Sequence, residues 1–188
     1  MCVNQLPSDN ELYNQYLVGN AKAGDQLMLR YANALTLYID SFIHNLQDAE
    51  DLMLDCFSVI LIDKPKIANG AFRAYLFRVA RNRAFHQWKR KIKQNEFSLS
   101  EELESDEHAP DNAMILDERN QTLHRCLNSI AEQYREALWL IYGMELSYEQ
   151  TAKIMGCNRK RIDNLLVKGK KALRTELEKE GITNANIQ

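Results

Sequence analysis

The chain has 188 residues, 45% of them hydrophobic, with 24 Lys/Arg against 26 Asp/Glu and only 7 Gly and 3 Pro. That is enough apolar material for one domain or two small ones and too few turn residues for an all-β fold. No apolar run reaches the ~18 residues of a membrane span, and MCVNQLPSDNE lacks the basic-then-apolar order of a secretory signal, so a cytoplasmic protein without membrane insertion is expected.

Ser8 and Glu11 have the spacing of a capping box, which opens a helix carrying Leu12, Tyr16 and Leu17. Ala23-Gly24-Asp25 reads as a break. A long stretch of helical periodicity follows, from Leu27 to about Leu46. Asp48-Ala49-Glu50-Asp51 sets acids at the start of the next helix, where the dipole favours them; that helix runs to about Ile62. DKPKIANG, Asp63 to Gly70, is full of breakers and reads as a loop.

Phe72 to Lys93, FRAYLFRVARNRAFHQWKRKIK, carries eight Lys/Arg and no acid. Wound at about 100° per residue, Phe72, Leu76, Val79 and Ala80 form one apolar arc, and Phe77, Ala84 and Trp88 a second; both are expected in the core. The remaining arc holds Tyr75, Arg78, Asn82, Phe85, His86 and Lys89, with Arg90 following. Arg and Lys suit phosphates, and aromatic faces suit unstacked bases. A merely solvated helix face would interleave Glu with Lys. The arc therefore reads as a nucleic-acid surface.

Asn95 to Met114 is acidic with few large apolar residues, and reads as a linker. Residues 1–94 and 118–188 are each +3, while 95–117 hold eight acids and no base. The expected organisation is thus all-α: helical domains at 1–94 and 118–188 joined by an acidic linker at 95–117. In the second domain a helix covers Glu118 to Asn128. Ser129 to Glu132 looks like a second capping box, opening a helix to about Tyr142, and Ser147 to Gln150 like a third. A short helix then ends at Met155-Gly156, and Asn158 caps a last helix toward Lys179.

LSYEQTAKIMGC followed by NRKRIDNLLVKGKKALR has helix-turn-helix spacing, with Ala152 small and Gly156 able to take the left-handed turn. Ile162, Leu165, Leu166, Gly169 and Leu173 share one side of the second helix. Lys160, Asp163, Asn164, Val167 and Lys171 lie opposite, with Arg159, Lys168 and Lys170 at the edges. That face is the one expected to enter a major groove. Cys2, Cys56, Cys126 and Cys157 have no paired spacing, and the four histidines no ligand spacing, so reduced and mostly buried thiols are expected, with no metal and no cofactor.

Taken together, DAEDLMLDCFSVIL at 48–61, FRAYLFRVARNRAFHQWKR at 72–90 and SIAEQYREALWLIYGMELSYEQTAKIMG at 129–156 resemble the sigma-70 family of bacterial transcription initiation factors, most of all its small extracytoplasmic-function group. The resemblance implies a factor that binds core RNA polymerase and directs it to promoter DNA. It implies polymerase contacts at Asp48, Glu50, Asp51, Leu52, Asp55 and Phe57. It turns the basic arc into a −10 surface to which the loop residues Lys64, Lys66 and Asn69 are added. Arg159, Lys160, Asp163, Asn164, Val167, Lys168 and Lys171 become a −35 surface. An anti-sigma factor is the further partner the resemblance admits. Leu54 stands where the family usually has Gln, and Lys160 to Leu165 replaces its usual Gly-Thr-Val-Lys-Ser-Arg run.

Two other readings differ in what they explain. A helix-turn-helix regulator that does not recruit polymerase accounts for 129–174 but leaves 48–93 unexplained. An enzyme acting on nucleic acid could use the acids of DAED to hold Mg²⁺. Their place at a helix start is reason enough for them, and the sequence shows no Gly-rich phosphate loop or nucleophile–base set. No enzyme is expected.

Overall fold

The computed structural model describes residues 6–97 and 118–182, which are helical apart from turns and short loops. The chain divides into two compact units, Met1–Glu104 and Ser105–Gln188.

Among its described residues the first unit has four helices: α1 (Asp9–Leu17), α2 (Ala21–Ile43), α3 (Leu46–Asp63) and α4 (Phe72–Phe97). Ser8 and Glu11 form the expected capping box at the start of α1. The break lies at Val18–Asn20 rather than at Gly24, which is buried inside α2. Gly24 is needed there for close approach: a Cβ on it would stand 2.8 Å from the Tyr16 ring. His44, in the left-handed region, ends α2, and Leu46 belongs to the next helix. The Asn45 side chain caps α3, accepting from Asp48 N at 2.9 Å.

Helices α2, α3 and α4 pack on one another, and α1 closes over α2 and α4. Their inward stripes are Leu27, Leu35, Tyr38 and Ile39; Ala49, Cys56, Phe57 and Ile60; and Phe72, Leu76, Phe77, Ala80 and Ala84. Each large aliphatic or aromatic side chain so buried is worth about 1.5–3 kcal/mol. Tyr38 is central, with its ring edge-on to Phe42 and Phe77 at 5.1 Å each. Leu17, expected on the apolar face of α1, is exposed instead. Helix α4 outruns its expected end and includes 95–97, so the strip read as a linker begins in helix; its remainder lies outside the described residues.

The second unit holds α5 (Glu118–Ser129), α6 (Glu132–Leu138), α7 (Tyr148–Met155) and α8 (Arg159–Lys179). The capping box expected at Ser129 does not form. The Ser129 hydroxyl donates back to Arg125 O at 3.0 Å, closing α5, and Ala131 takes the cap position of α6 without a side-chain bond. The segment beyond Leu138 widens into a π turn, Trp139–Gly143, closed by Met144 N to Trp139 O at 2.9 Å. The box at Ser147 does form, with Gln150, and Gly156 (φ 64°) ends α7 in the left-handed turn. Asn158 caps α8 through Arg161 N at 2.9 Å. Ile130, Ala137, Leu138, Ala152, Ile162, Leu165 and Leu166 make the core.

Candidate nucleic-acid interface

Burial of Phe72, Leu76, Ala80 and Ala84 fixes how α4 is rotated, and so what it shows outward. Arg78, Asn82, His86, Lys89 and Arg90 are exposed, and Tyr75 and Phe85 are half-buried. Cations lie over the rings. The Arg78 guanidinium is 5.2 Å from the Tyr75 centroid, and Lys89 Nζ and the Arg81 guanidinium are 5.1 and 5.6 Å from that of Phe85. Flat rings and positive groups thus share one surface, a combination that suits a strand with unstacked bases.

Trp88 departs from the core position expected of it. It is 40% exposed, with its ring 5.4 Å from that of Phe85, so it extends the ring surface. Helical phase put Trp88 in line with Ala84. It stands about 24 Å along the axis from Phe72, and although α3 still reaches this end of α4 through Asp48 and Lys91, the indole stays partly uncovered.

The loop before α4 carries further cations. Lys64, Lys66 and Asn69 are all exposed. Lys64 is left-handed (φ 46°), with its Nζ 5.4 Å from the Tyr16 ring, and Asn69 Oδ1 accepts from Asn10 Nδ2.

On α3 the expected polymerase contacts differ in exposure. Glu50, Asp51 and Asp55 are exposed, and Asp55 lies 3.3 Å from Arg83. Asp48 is half-buried and held at 2.6 Å by Lys91. Leu52 and Phe57 are buried, Phe57 completely, so they support this face from beneath rather than form it. Phe57 is one 3.6-residue repeat from Met53 and Ile60, which fixes it inward. The exposed apolar groups of α3 are Leu54 and Ile62. Burial pushes the neighbouring Cys56 thiol up to about 12, keeping it neutral and unreactive.

Helix α8 shows the division read from its sequence. Ile162, Leu165, Leu166 and Gly169 face the core, and Leu173 is half-buried. Arg159, Lys160, Asp163, Asn164, Val167, Lys168 and Lys171 are all exposed. Arg159 pairs with Glu149 at 3.0 Å, tying the helix start to α7. Asn164 and Lys168, with Arg161 and Gln133, line a cleft of about 320 Å³ beside α6. Arg161, outside the expected set, donates to Gln133 Oε1 at 3.0 Å. Among the described residues, no group of His, Cys, Asp and Glu could hold a metal, and no helix is long and apolar enough to cross a membrane.

Two family models match this chain: Sigma-70 region 2 over residues 27–93, and Sigma-70, region 4 over residues 120–173. Among curated proteins, the RNA polymerase sigma-H factor of Pseudomonas aeruginosa is 25% identical over 181 residues, covering 90% of this chain and 94% of that protein. The ECF RNA polymerase sigma factor SigM of Bacillus subtilis is 27% identical over 152 residues, covering 80% and 92%. A solved structure of the sigma factor RpoE with the anti-sigma factor NepR, from Bartonella quintana, superposes with a TM-score of 0.67 at 26% identity, covering 82% of this chain and 96% of that one. The match over 27–93 accounts for the half that a lone helix-turn-helix leaves unexplained.

Proposed function

The chain belongs to the sigma-70 family, in its extracytoplasmic-function group, and is an RNA polymerase sigma factor for promoter-specific initiation; on that premise we propose how its surfaces divide the work. The exposed acids of α3, Glu50, Asp51 and Asp55, with Leu54 among them, meet a basic element of core polymerase. The ring-and-cation face of α4, with the loop 64–71, receives the non-template strand of the −10 element. The exposed face of α8 reads the −35 element as duplex. The observation that carries this reading is the contrast between the two basic helices. Helix α4 carries its own rings and sets Arg78 over Tyr75 and Lys89 over Phe85, whereas α8 has no aromatic residue, and the rings beside its Arg159 and Lys170, Tyr148 and Tyr142, belong to neighbouring segments.

The two chemistries fit two states of DNA. Stacking on aromatic faces is worth about 1–3 kcal/mol per base but is open only to bases already out of the helix. Major-groove edges of paired bases are read by Asn and Lys. The factor is non-catalytic in this reading: it supplies binding energy for opening, and the polymerase does the chemistry. It works where polymerase and chromosome are, in the cytoplasm. The similar structure from Bartonella quintana is a complex with an anti-sigma factor, and by that likeness an antagonist of this kind is a proposed further partner.

Transcription in vitro with core polymerase, followed by sequencing of start sites, tests the reading as a whole. Starts should share two spaced elements upstream. Alanine at Tyr75 and Phe85 should abolish use of the nearer one, and alanine at Asn164 should alter the farther one. Starts with no shared upstream elements would contradict it.

A further inference from the structure

Helix α1 lies outside the region matched by the family model, and nothing in the division of labour above uses it. Its side chains nonetheless bond to the loop 64–71 and to the last turn of α3 before it. Residues 10, 13 and 16, three apart, share one face of the helix. The Asn10 amide donates to Asn69 Oδ1 near the end of the loop. The Tyr13 hydroxyl donates to Pro65 O at 2.8 Å, from a side chain that is otherwise buried. The Tyr16 hydroxyl donates to Leu61 O at 2.9 Å.

The last of these bonds has a specific cause. In a continuing helix the carbonyl of Leu61 would accept from the N–H of residue 65. That residue is Pro65, which has no N–H, so the carbonyl is orphaned where α3 ends. Tyr16 supplies the missing donor. Tyr13 takes the next carbonyl at which the loop turns away. Between them sits Lys64, left-handed, whose own N–H closes α3 on Ile60 O at 3.2 Å.

Helix α1 is itself held on the frame. Asp9 accepts from Arg30 Nη1 at 2.6 Å and from the Tyr31 hydroxyl, and Arg73 Nε, in the first turn of α4, donates to Tyr31 at 3.0 Å. The Tyr13 ring lies 5.3 Å from that of Phe72, and the Tyr16 ring lies close against Gly24. Both roots of the loop, Leu61 on α3 and Phe72 on α4, therefore touch α1. A shift of the loop must break these bonds or carry the helix with it.

We propose that Tyr13 and Tyr16 are positioning residues for −10 specificity: they fix the backbone of the loop 64–71 and so the fit of the base it meets. The inference rests on the reading that this loop meets a −10 base. Losing a bond changes the shape of the loop, not its charge, so the consequence falls on discrimination between bases rather than on binding as a whole.

The test uses holoenzyme built from core polymerase and the full chain, on pre-melted promoters randomised across the −10 strand. Tyr13→Phe/Tyr16→Phe keeps both rings and removes both hydroxyls; Lys66→Ala/Asn69→Ala probes the loop directly. The Tyr variant should bind core polymerase and duplex −35 DNA as the parent does. Its preference among bases at one or two −10 positions should shrink about fivefold, the worth of roughly one hydrogen bond. A uniform loss over all sequences would mark the tyrosines as structural only and overturn the proposal. Unchanged preference in the Tyr variant, with altered preference in the loop variant, would overturn it while leaving the loop reading intact. Unchanged preference in both would remove the loop reading and the proposal together. Should the double variant unfold at assay temperature, Tyr16→Phe alone carries the same expectation.

Discussion

Lys91 Nζ lies 2.6 Å from Asp48 Oδ2, joining the later part of α4 to the first turn of α3. The pair links the helix whose exposed acids are proposed for polymerase to the helix whose rings are proposed for the melted strand. It also divides the cations of α4 into those already engaged and those turned outward. Lys91→Met should cost under about 1 kcal/mol of stability, since the pair is partly exposed. It should leave the salt dependence of single-strand binding unchanged. Lys89→Ala with Arg90→Ala should reduce that slope by about 1.4, two phosphates at ~0.7 each. Titrating a −10 oligonucleotide against holoenzyme at several salt concentrations checks both.

On α3, exposure separates binding from stability. Asp51→Lys with Asp55→Lys reverses two exposed charges and should weaken competition for core polymerase tenfold or more, since like charges facing each other can cost several kcal/mol. The melting temperature should change little. Phe57→Ala should do the reverse, removing about 3–5 kcal/mol of stability by opening a cavity. Equal competition by the Asp double variant would show that the polymerase binds elsewhere.

On α8, the outward groups should differ in kind. Asn164→Ala should change preference at one or two −35 positions, because an amide can bond adenine through two edges. Lys168→Ala, on the flank, should weaken all sequences alike and lower the salt slope by roughly one. Selection from a randomised −35 library, repeated at two salt concentrations, separates these effects.

Alkaline pH should destabilise the first unit through two buried groups. Burial holds the Cys56 thiol up at about 12 against 9.0, and burial together with the hydrogen bond to Asp9 holds Tyr31 up at about 12 against 10.0. Both are neutral when protonated, and folding favours that form. The unfolded chain therefore loses these protons first. The stability they confer is complete below about pH 9 and is lost as pH rises toward 12. Cys56→Ala should flatten the early part of this decline and Tyr31→Phe the later part, as followed by urea unfolding at stepped pH.

Much of this was legible in the sequence, because capping and periodicity act locally. Ser8, Ser147, Asn158 and Gly156 mark helix ends in both readings. The outward face of α8 also follows from its apolar spacing alone. The failures came where tertiary context decides. Gly24 looked like a break but serves a close approach of Tyr16, which no local rule reveals. Ser129 bonded backward rather than forward, because the chain turned at Ile130, a core residue. Trp88, expected in the core, is 40% exposed. Periodicity says which face a side chain shares, not whether a neighbouring helix covers it. The role of Pro65 in orphaning a carbonyl could be read from sequence, but not the tyrosine that answers it.

The central claim is that the rings of α4 hold bases of an opened promoter. Permanganate reactivity of −10 thymines on duplex promoter DNA, with holoenzyme carrying Tyr75→Ala/Phe85→Ala, tests it most directly. The variant should still bind core polymerase and −35 duplex. Its thymines should remain unreactive, reflecting a loss of about 2–6 kcal/mol if both rings stack. A pre-melted template should restore binding only in part, since it supplies the opening but not the stacking. Parent-like reactivity on duplex DNA in a variant lacking both rings would contradict the account.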